Sequence, residues 1–188
     1  MILNSYFLGN VKVNSLKFLS AKINGQLSSY KPNMSHINYK YDFTVEVFIV
    51  FKNKVLLRFH DKYNIWLSVG GHVELDEDPN EAAYREVKEE VGLDIELYDG
   101  NRPFNSENDT YKELIPPLFL NKDHIKGDHW HITSTYIAKT NSDKINPELE
   151  SDNSEDWKWL AKEEVEDMDE LGEKVRAYAL KALDLLSS

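Results

Sequence analysis

Between Gly71 and Leu93 the chain reads GHVELDEDPNEAAYREVKEEVGL, and the second half of this stretch sets Glu86, Glu89 and Glu90 at spacings i, i+3 and i+4. On a helix those spacings bring three carboxylates onto one face, close together. Like charges so placed repel by about 0.2–0.5 kcal/mol per pair in solvent, and by more as burial removes water. Such a face calls for a counter-charge. A hard divalent cation supplies one, since carboxylate oxygens and backbone carbonyls are the ligands that Mg²⁺ or Mn²⁺ prefers. The flanks agree: Glu77 precedes the helix and can reach Arg85 in a bidentate ion pair, while Gly71 leaves its carbonyl unobstructed by any side chain. Pro79 suits a first helical position, Glu81 to Val91 is rich in helix formers, and Gly92 supplies a stop. Tyr84, Val87 and Val91 form an apolar stripe for packing against a sheet.

The strands are predicted around this helix. Phe43 to Phe51 and Val55 to Phe59 are β-branched and aromatic runs separated by turn-prone residues, which predicts a hairpin. Ile65 to Val69 reads as a strand entering Gly70-Gly71, Leu93 to Tyr98 as a strand, and Asp99 to Thr110 as a polar loop. Leu114 to Leu120 and Trp130 to Ala138 are further strands, with His129, His131, Thr133 and Thr135 sharing one face by the two-residue period. Asn141 to Ser154 is an acidic connection, Trp157 to Leu160 a short strand, and Glu173 to Leu186 an amphipathic closing helix. Strands and helices interleave, which predicts one α/β domain with helices on the faces of a sheet. Residues 1–40, rich in Asn, Ser and Lys, read as an N-terminal extension to a domain spanning residues 41–188.

Bulk properties narrow the partners. A formal charge of −11 disfavours long nucleic acid, whose binding rests on Lys and Arg neutralising phosphates. A small phosphorylated substrate survives that argument, because a bound cation reverses the local sign of an acidic pocket. With no cysteine, disulfides, thiolate metal sites and thiol nucleophiles are excluded. No long uninterrupted apolar run occurs in Met1 to Phe18, so no membrane association is expected and the expected location is cytoplasmic.

The stretch from Gly71 resembles the Nudix hydrolase (MutT-like) signature: Gly, five residues, Glu, seven residues, then Arg-Glu-aliphatic-any-Glu-Glu-any-Gly-aliphatic. Gly71, Glu77, Arg85, Glu86, Glu89, Glu90 and Gly92 meet every fixed position, with Val87 and Leu93 at the aliphatic places. At ordinary residue usage a chance match in this chain has a probability on the order of 10⁻⁷. The resemblance implies an α/β/α sandwich with a mixed β-sheet, in which the signature forms a catalytic loop–helix–loop. It implies an Mg²⁺-dependent enzyme, with Mn²⁺ as substitute, that cleaves the phosphoanhydride bond of a nucleoside diphosphate linked to another moiety. Glu89 and Glu90 would be the principal metal ligands beside the Gly71 carbonyl, Glu86 a third ligand or water-organising carboxylate, and Arg85 with Glu77 the supporting pair. In this family the general base is a signature glutamate or a late acidic residue; Glu89 is preferred here over Glu150, Asp152 and Glu155. A homodimer is left open.

Two competing readings bear on function. A relative that keeps the fold as a nucleotide- or metal-binding regulatory module without turnover is disfavoured by the intact signature, and an isoprenoid diphosphate isomerase is disfavoured by the missing cysteine. ADP-ribose, dinucleoside polyphosphates, nucleotide sugars and damaged nucleoside triphosphates all fit as substrates. Outside the signature, His129 and His131, with His124 nearby, invite a second metal site or a substrate contact, although a His-any-His pair on a strand is more often the edge of a partly exposed sheet face. Trp157 and Trp159 invite base stacking, with core packing the commoner role. Tyr111 is expected to be a loop residue.

Overall fold

The first strand, β1 (Tyr41–Phe51), is the spine of the sheet: Val45, Val47, Phe48, Ile49 and Val50 are all buried, so the strand carries apolar side chains to both faces. A strand of that kind must have layers on each side. The computed structural model describes residues 40–60, 63–147 and 156–187, and the predicted extension of residues 1–40, save Lys40, lies outside them.

From β1 the chain turns through Lys52 and Asn53, both at positive φ (44° and 63°), into antiparallel β2 (Lys54–His60). That two-residue turn matches the twist of the paired strands. β3 (Ile65–Leu67) pairs with β2, and after Ser68 the chain crosses to β4 (Val69–His72), which lies antiparallel to the first half of β1. The helix α1 (Pro79–Val91) and β5 (Ile95–Leu97) follow, then a small hairpin of β6 (Glu107–Asn108) and β7 (Tyr111–Lys112). β8 (Phe119–Lys126) turns into β9 (His129–Thr140), which runs parallel to β1 along nearly its whole length. β10 (Trp157–Leu160) pairs with β2. The helices α2 (Lys162–Asp167) and α3 (Glu173–Leu186) close the chain.

The main sheet is mixed, with the order β10-β2-β1-β9-β5, while β8 shares the outer edge of β9. One face buries Val45, Val47, Ile49, Leu56 and Val69 against Ala82, Ala83, Val87 and Val91 of α1. The opposite face buries Phe48, Val50, Val55, Leu57 and Ile137 against Val175, Ala179, Ala182, Leu183 and Leu186 of α3 and Val165 of α2. This is the expected α/β/α sandwich. Among the described residues no helix is long and apolar enough to cross a membrane.

Several elements differ from their sequence reading. The strand expected over Leu114 to Leu120 begins only at Phe119, because Pro116 and Pro117 lack the N–H groups a ladder needs; the first cross-strand bond runs from Leu118 N–H to the Thr135 carbonyl, 2.9 Å. The polar loop over Asp99 to Thr110 contains β6, and β5 is shorter than Leu93 to Tyr98. Tyr84 is exposed; small residues, Ala82 and Ala83, take its expected place against the sheet. α2 escapes a periodicity search because KEEVED holds one apolar side chain, Val165.

Gly92 ends α1 in the left-handed region (φ 68°), its N–H bonded to the Lys88 carbonyl at 3.0 Å. A Cβ there would lie 1.9 Å from the Asn146 carbonyl oxygen. Gly92→Ala is therefore expected to destabilise the fold by about 2–4 kcal/mol, from the left-handed backbone and the forced contact together. Chemical denaturation measures this, and a loss under about 0.5 kcal/mol would contradict the packing described.

Candidate active site

The acidic helix is held at both ends. At its start Asp78 accepts bonds from the N–H groups of Asn80 (2.8 Å) and Glu81 (3.0 Å), and Glu81 accepts one from the Asp78 N–H at 2.9 Å, a complete capping box. The buried Asn80 amide exchanges two hydrogen bonds with the backbone of Ile115, fixing the first turn to the segment before β8. Gly92 sets the other end. Burial of Val87 and Val91 against the sheet then decides that positions 85, 86, 89 and 90 point toward the rim where β4 meets the helix.

There Arg85 organises the carboxylates. Its Nε and Nη2 donate to the two oxygens of Glu77 at 2.9 and 2.7 Å, its Nη1 donates to Glu86 at 2.9 Å and Glu89 at 3.0 Å, and Nη2 also donates to the His72 carbonyl at 2.9 Å. Glu77 additionally accepts from the Glu74 N–H, which folds the connecting loop over the helix start. Glu90 turns to different partners: Arg58 of β2 lies at 2.6 Å, and the Gly70 N–H donates to its other oxygen at 3.0 Å. Arg58 was not singled out in the sequence; a lone cation inside the apolar run Val55 to Phe59 was the available signal.

Four carboxylates, Glu77, Glu86, Glu89 and Glu90, thus face two guanidiniums, leaving a formal surplus of two negative charges. Burial pushes the Glu86 carboxyl above its ordinary range, and pushes Glu90 up to about 7 despite Arg58 and the Gly70 amide. Bonding to Glu77 holds the Arg85 guanidinium firmly charged. Gly71 lies directly beneath this cluster: a Cβ there would sit 2.4–2.6 Å from the carboxylate atoms of Glu86, so only a bare backbone lets that side chain descend onto the strand. Among the described residues, one oxygen each of Glu86 and Glu89 accepts no hydrogen bond. The cluster's donor set, its surplus charge and these oxygens fit a hard divalent cation.

The other residues singled out in the sequence fall elsewhere. β9 is a central strand, between β1 and β8, so His129 and His131 do not lie on a sheet edge as the commoner reading had it: His129 is buried, and its Nε2 lies 3.2 Å from the fully buried Asp42. His124 stands apart near the end of β8, paired across the ladder with Trp130 and bonded to the Gly127 carbonyl. Trp157 and Trp159 pack against the core on the α1 side, and the Trp159 indole N–H donates to the Asp143 carbonyl at 3.2 Å. Tyr111 lies exposed in the β6–β7 hairpin and donates to Glu113. Glu150, Asp152 and Glu155 lie outside the described residues.

Comparison with known proteins agrees with this geometry. The NUDIX domain family matches residues 40–183. A hydrolase of the NUDIX family from Clostridium perfringens is 37% identical over 78% of this chain and 98% of its own, with a TM-score of 0.68. The MutT protein from Methanosarcina mazei Go1 (18% identical, 80% and 97% covered, TM-score 0.57) and a MutT NUDIX hydrolase from Burkholderia pseudomallei (21%, 79% and 100%, 0.54) share the fold. No curated protein matches the chain in sequence. An acidic loop–helix–loop seated on a mixed sheet, a signature without a missing position and a family match across most of the chain make one conclusion: the protein belongs to the Nudix family and is a hydrolase of pyrophosphate bonds in nucleoside diphosphate derivatives.

Proposed function

We propose that the protein is an Mg²⁺-dependent pyrophosphohydrolase whose ion is held by Glu86, Glu89, Glu90 and the Gly71 carbonyl. The observation that carries this reading is the surplus of carboxylate over guanidinium around Arg85, next to a strand glycine that brings its backbone within reach. When bound, Mg²⁺ polarises phosphoryl oxygens and neutralises charge that gathers on the leaving phosphate. The side chains supply the rest. Glu89 is the most open of the three helix carboxylates, with 34% of its side chain exposed against 13% for Glu86 and 15% for Glu90. That openness supports Glu89 as the group that takes the proton of a water attacking phosphorus in line. Glu77 and Arg85 keep the acidic face in one conformation, and Arg58 keeps Glu90 from turning away. In the same reading residues 41–188 are the catalytic domain and residues 1–40 an extension without catalytic groups, a division supported by a family match that begins at residue 40. The enzyme would act in the cytoplasm on small nucleotide derivatives, in keeping with its net charge of −11.

Glu89→Gln keeps side-chain shape and helix propensity while removing the charge, so the variant should fold, yet its turnover should fall by about 10²–10⁴-fold. Glu81→Gln is the control: position 81 belongs to the capping box, where an amide oxygen serves as well as a carboxylate. Equal activity of the two variants at saturating Mg²⁺ on ADP-ribose, dinucleoside polyphosphates, nucleotide sugars and oxidised nucleoside triphosphates would overturn the assignment. Wild-type turnover of the same panel should vanish on exhaustive chelation and return with Mg²⁺ or Mn²⁺; turnover that survives chelation would remove the metal from the account.

The raised Glu90 carboxyl gives a pH dependence. Its folded value of about 7 lies above the ordinary 4.5, so the metal-free fold binds this proton more tightly than the unfolded chain. The resulting stability is present in full below pH 4.5 and is lost as pH rises through 7. Mg²⁺ competes with that proton, so the rise in melting temperature on adding Mg²⁺ should be larger at pH 8 than at pH 5.5. A rise independent of pH would show that Glu90 takes no part in holding the ion.

A further inference from the structure

We propose that Asp42, His72 and His131 form a second cation site, selective for imidazole-binding divalent transition ions such as Zn²⁺ or Co²⁺, on the sheet face opposite α1. Their placement follows from strand registers. Asp42 of β1 pairs with His131 of β9, and Thr44, two residues on and therefore on the same face, pairs with His72 of β4. Gly71, one residue before His72, pairs with Val45, whose side chain packs beneath α1. Adjacent residues of β4 thus address opposite faces, Gly71 toward the acidic helix and His72 toward the histidine cluster.

The geometry suits a metal. One ligand atom from each of Asp42, His72 and His131 lies within 4.8 Å of the other two, and His72 Nε2 stands 3.5 Å from Asp42 Oδ2. Bonds of about 2.0–2.2 Å at tetrahedral angles space ligand atoms roughly 3.4 Å apart, so the side chains need to draw together by about 1 Å. The rings of His72 and His131 stand edge to face with centroids 4.9 Å apart, and His131 meets His129 the same way at 5.4 Å. His129 Nε2, 3.2 Å from the same Asp42 oxygen, is placed to orient that carboxylate or to serve as a fourth ligand. Asp42 is wholly buried, while 30% of the His72 side chain is exposed, which leaves an entry path from one side. The hydroxyls of Thr44 and Thr133 bond each other at 2.8 Å and close the cluster along the strands.

Ligand chemistry separates this site from the acidic one. Two or three imidazoles with a single carboxylate favour zinc, cobalt or nickel, whereas Mg²⁺ demands oxygen ligands. An ion here would tie β1 and β9 to β4, the strand that also carries Gly71, and the His72 carbonyl already accepts a bond from Arg85.

Co²⁺ titration of tag-free, full-length protein in saturating Mg²⁺ tests the proposal. One equivalent of Co²⁺ should bind with visible d–d bands of imidazole coordination and raise the melting temperature, in wild type and in Glu89→Gln alike. Both His72→Gln and His131→Gln should weaken that binding at least about tenfold. Retention in Glu89→Gln makes the result independent of the proposed Mg²⁺ chemistry. Absence of bound Co²⁺ in the wild-type protein, binding undiminished in the folded histidine variants, or loss in Glu89→Gln with retention in His131→Gln would each overturn it; should neither histidine variant fold, the wild-type spectrum decides.

Discussion

One guanidinium, that of Arg85, makes five hydrogen bonds that join the loop, the helix and the strand of the acidic site. Two go to Glu77 before the helix, two to Glu86 and Glu89 on it, and one to the backbone of β4. Without that fan the helix would present a row of mutually repelling, partly desolvated carboxylates, and the loop carrying Glu77 would have no fixed relation to the strand carrying Gly71. A planar fork suits this duty where a point charge does not, since bidentate bonding sets angle as well as distance. The arrangement stops short of neutrality. Arg85 and Arg58 together leave two negative charges uncompensated, and the raised carboxyls of Glu86 and Glu90 register that burial in the protonation of the site itself.

The sheet distributes chemistry between its two faces. Along β1 the odd-numbered positions Val45, Val47 and Ile49 serve the layer of α1, while Phe48 and Val50 serve the layer of α3. Toward the start of the strand the second face becomes polar, with Asp42, Thr44 and Glu46 succeeding one another, and Lys174 of α3 bonds Glu46 at 3.3 Å and Asp123 at 2.9 Å. Apolar burial thus holds the middle of the sheet, and ionisable groups collect at the end from which α1 and β4 approach each other.

What was legible in the sequence was whatever rested on local periodicity. The helix from Pro79 to Val91 declared itself through its proline, its run of helix formers and its glycine stop, and the β1–β2 hairpin through two β-branched runs around a short turn. The Glu77–Arg85 pair is local too, eight residues apart. Contacts that the sheet topology creates were not legible. Arg58 and Glu90 are 32 residues apart in the chain, and Asp42 meets His131 only because β1 and β9 run parallel and in register. Strand extent failed where neighbouring chemistry overrode propensity: two prolines delay β8, and its mostly polar segment Asn121 to Lys126 pairs as a strand because β9 offers it an edge.

The account turns on a divalent ion held by the acidic helix, and crystals of the protein soaked with Mn²⁺ locate such an ion by its anomalous scattering. The expected peak lies within about 2.0–2.3 Å of oxygens from Glu86, Glu89 and Glu90 and of the Gly71 carbonyl. A crystal of protein that turns over its substrate with Mn²⁺, yet shows the ion bound elsewhere and none at this helix, would contradict the account.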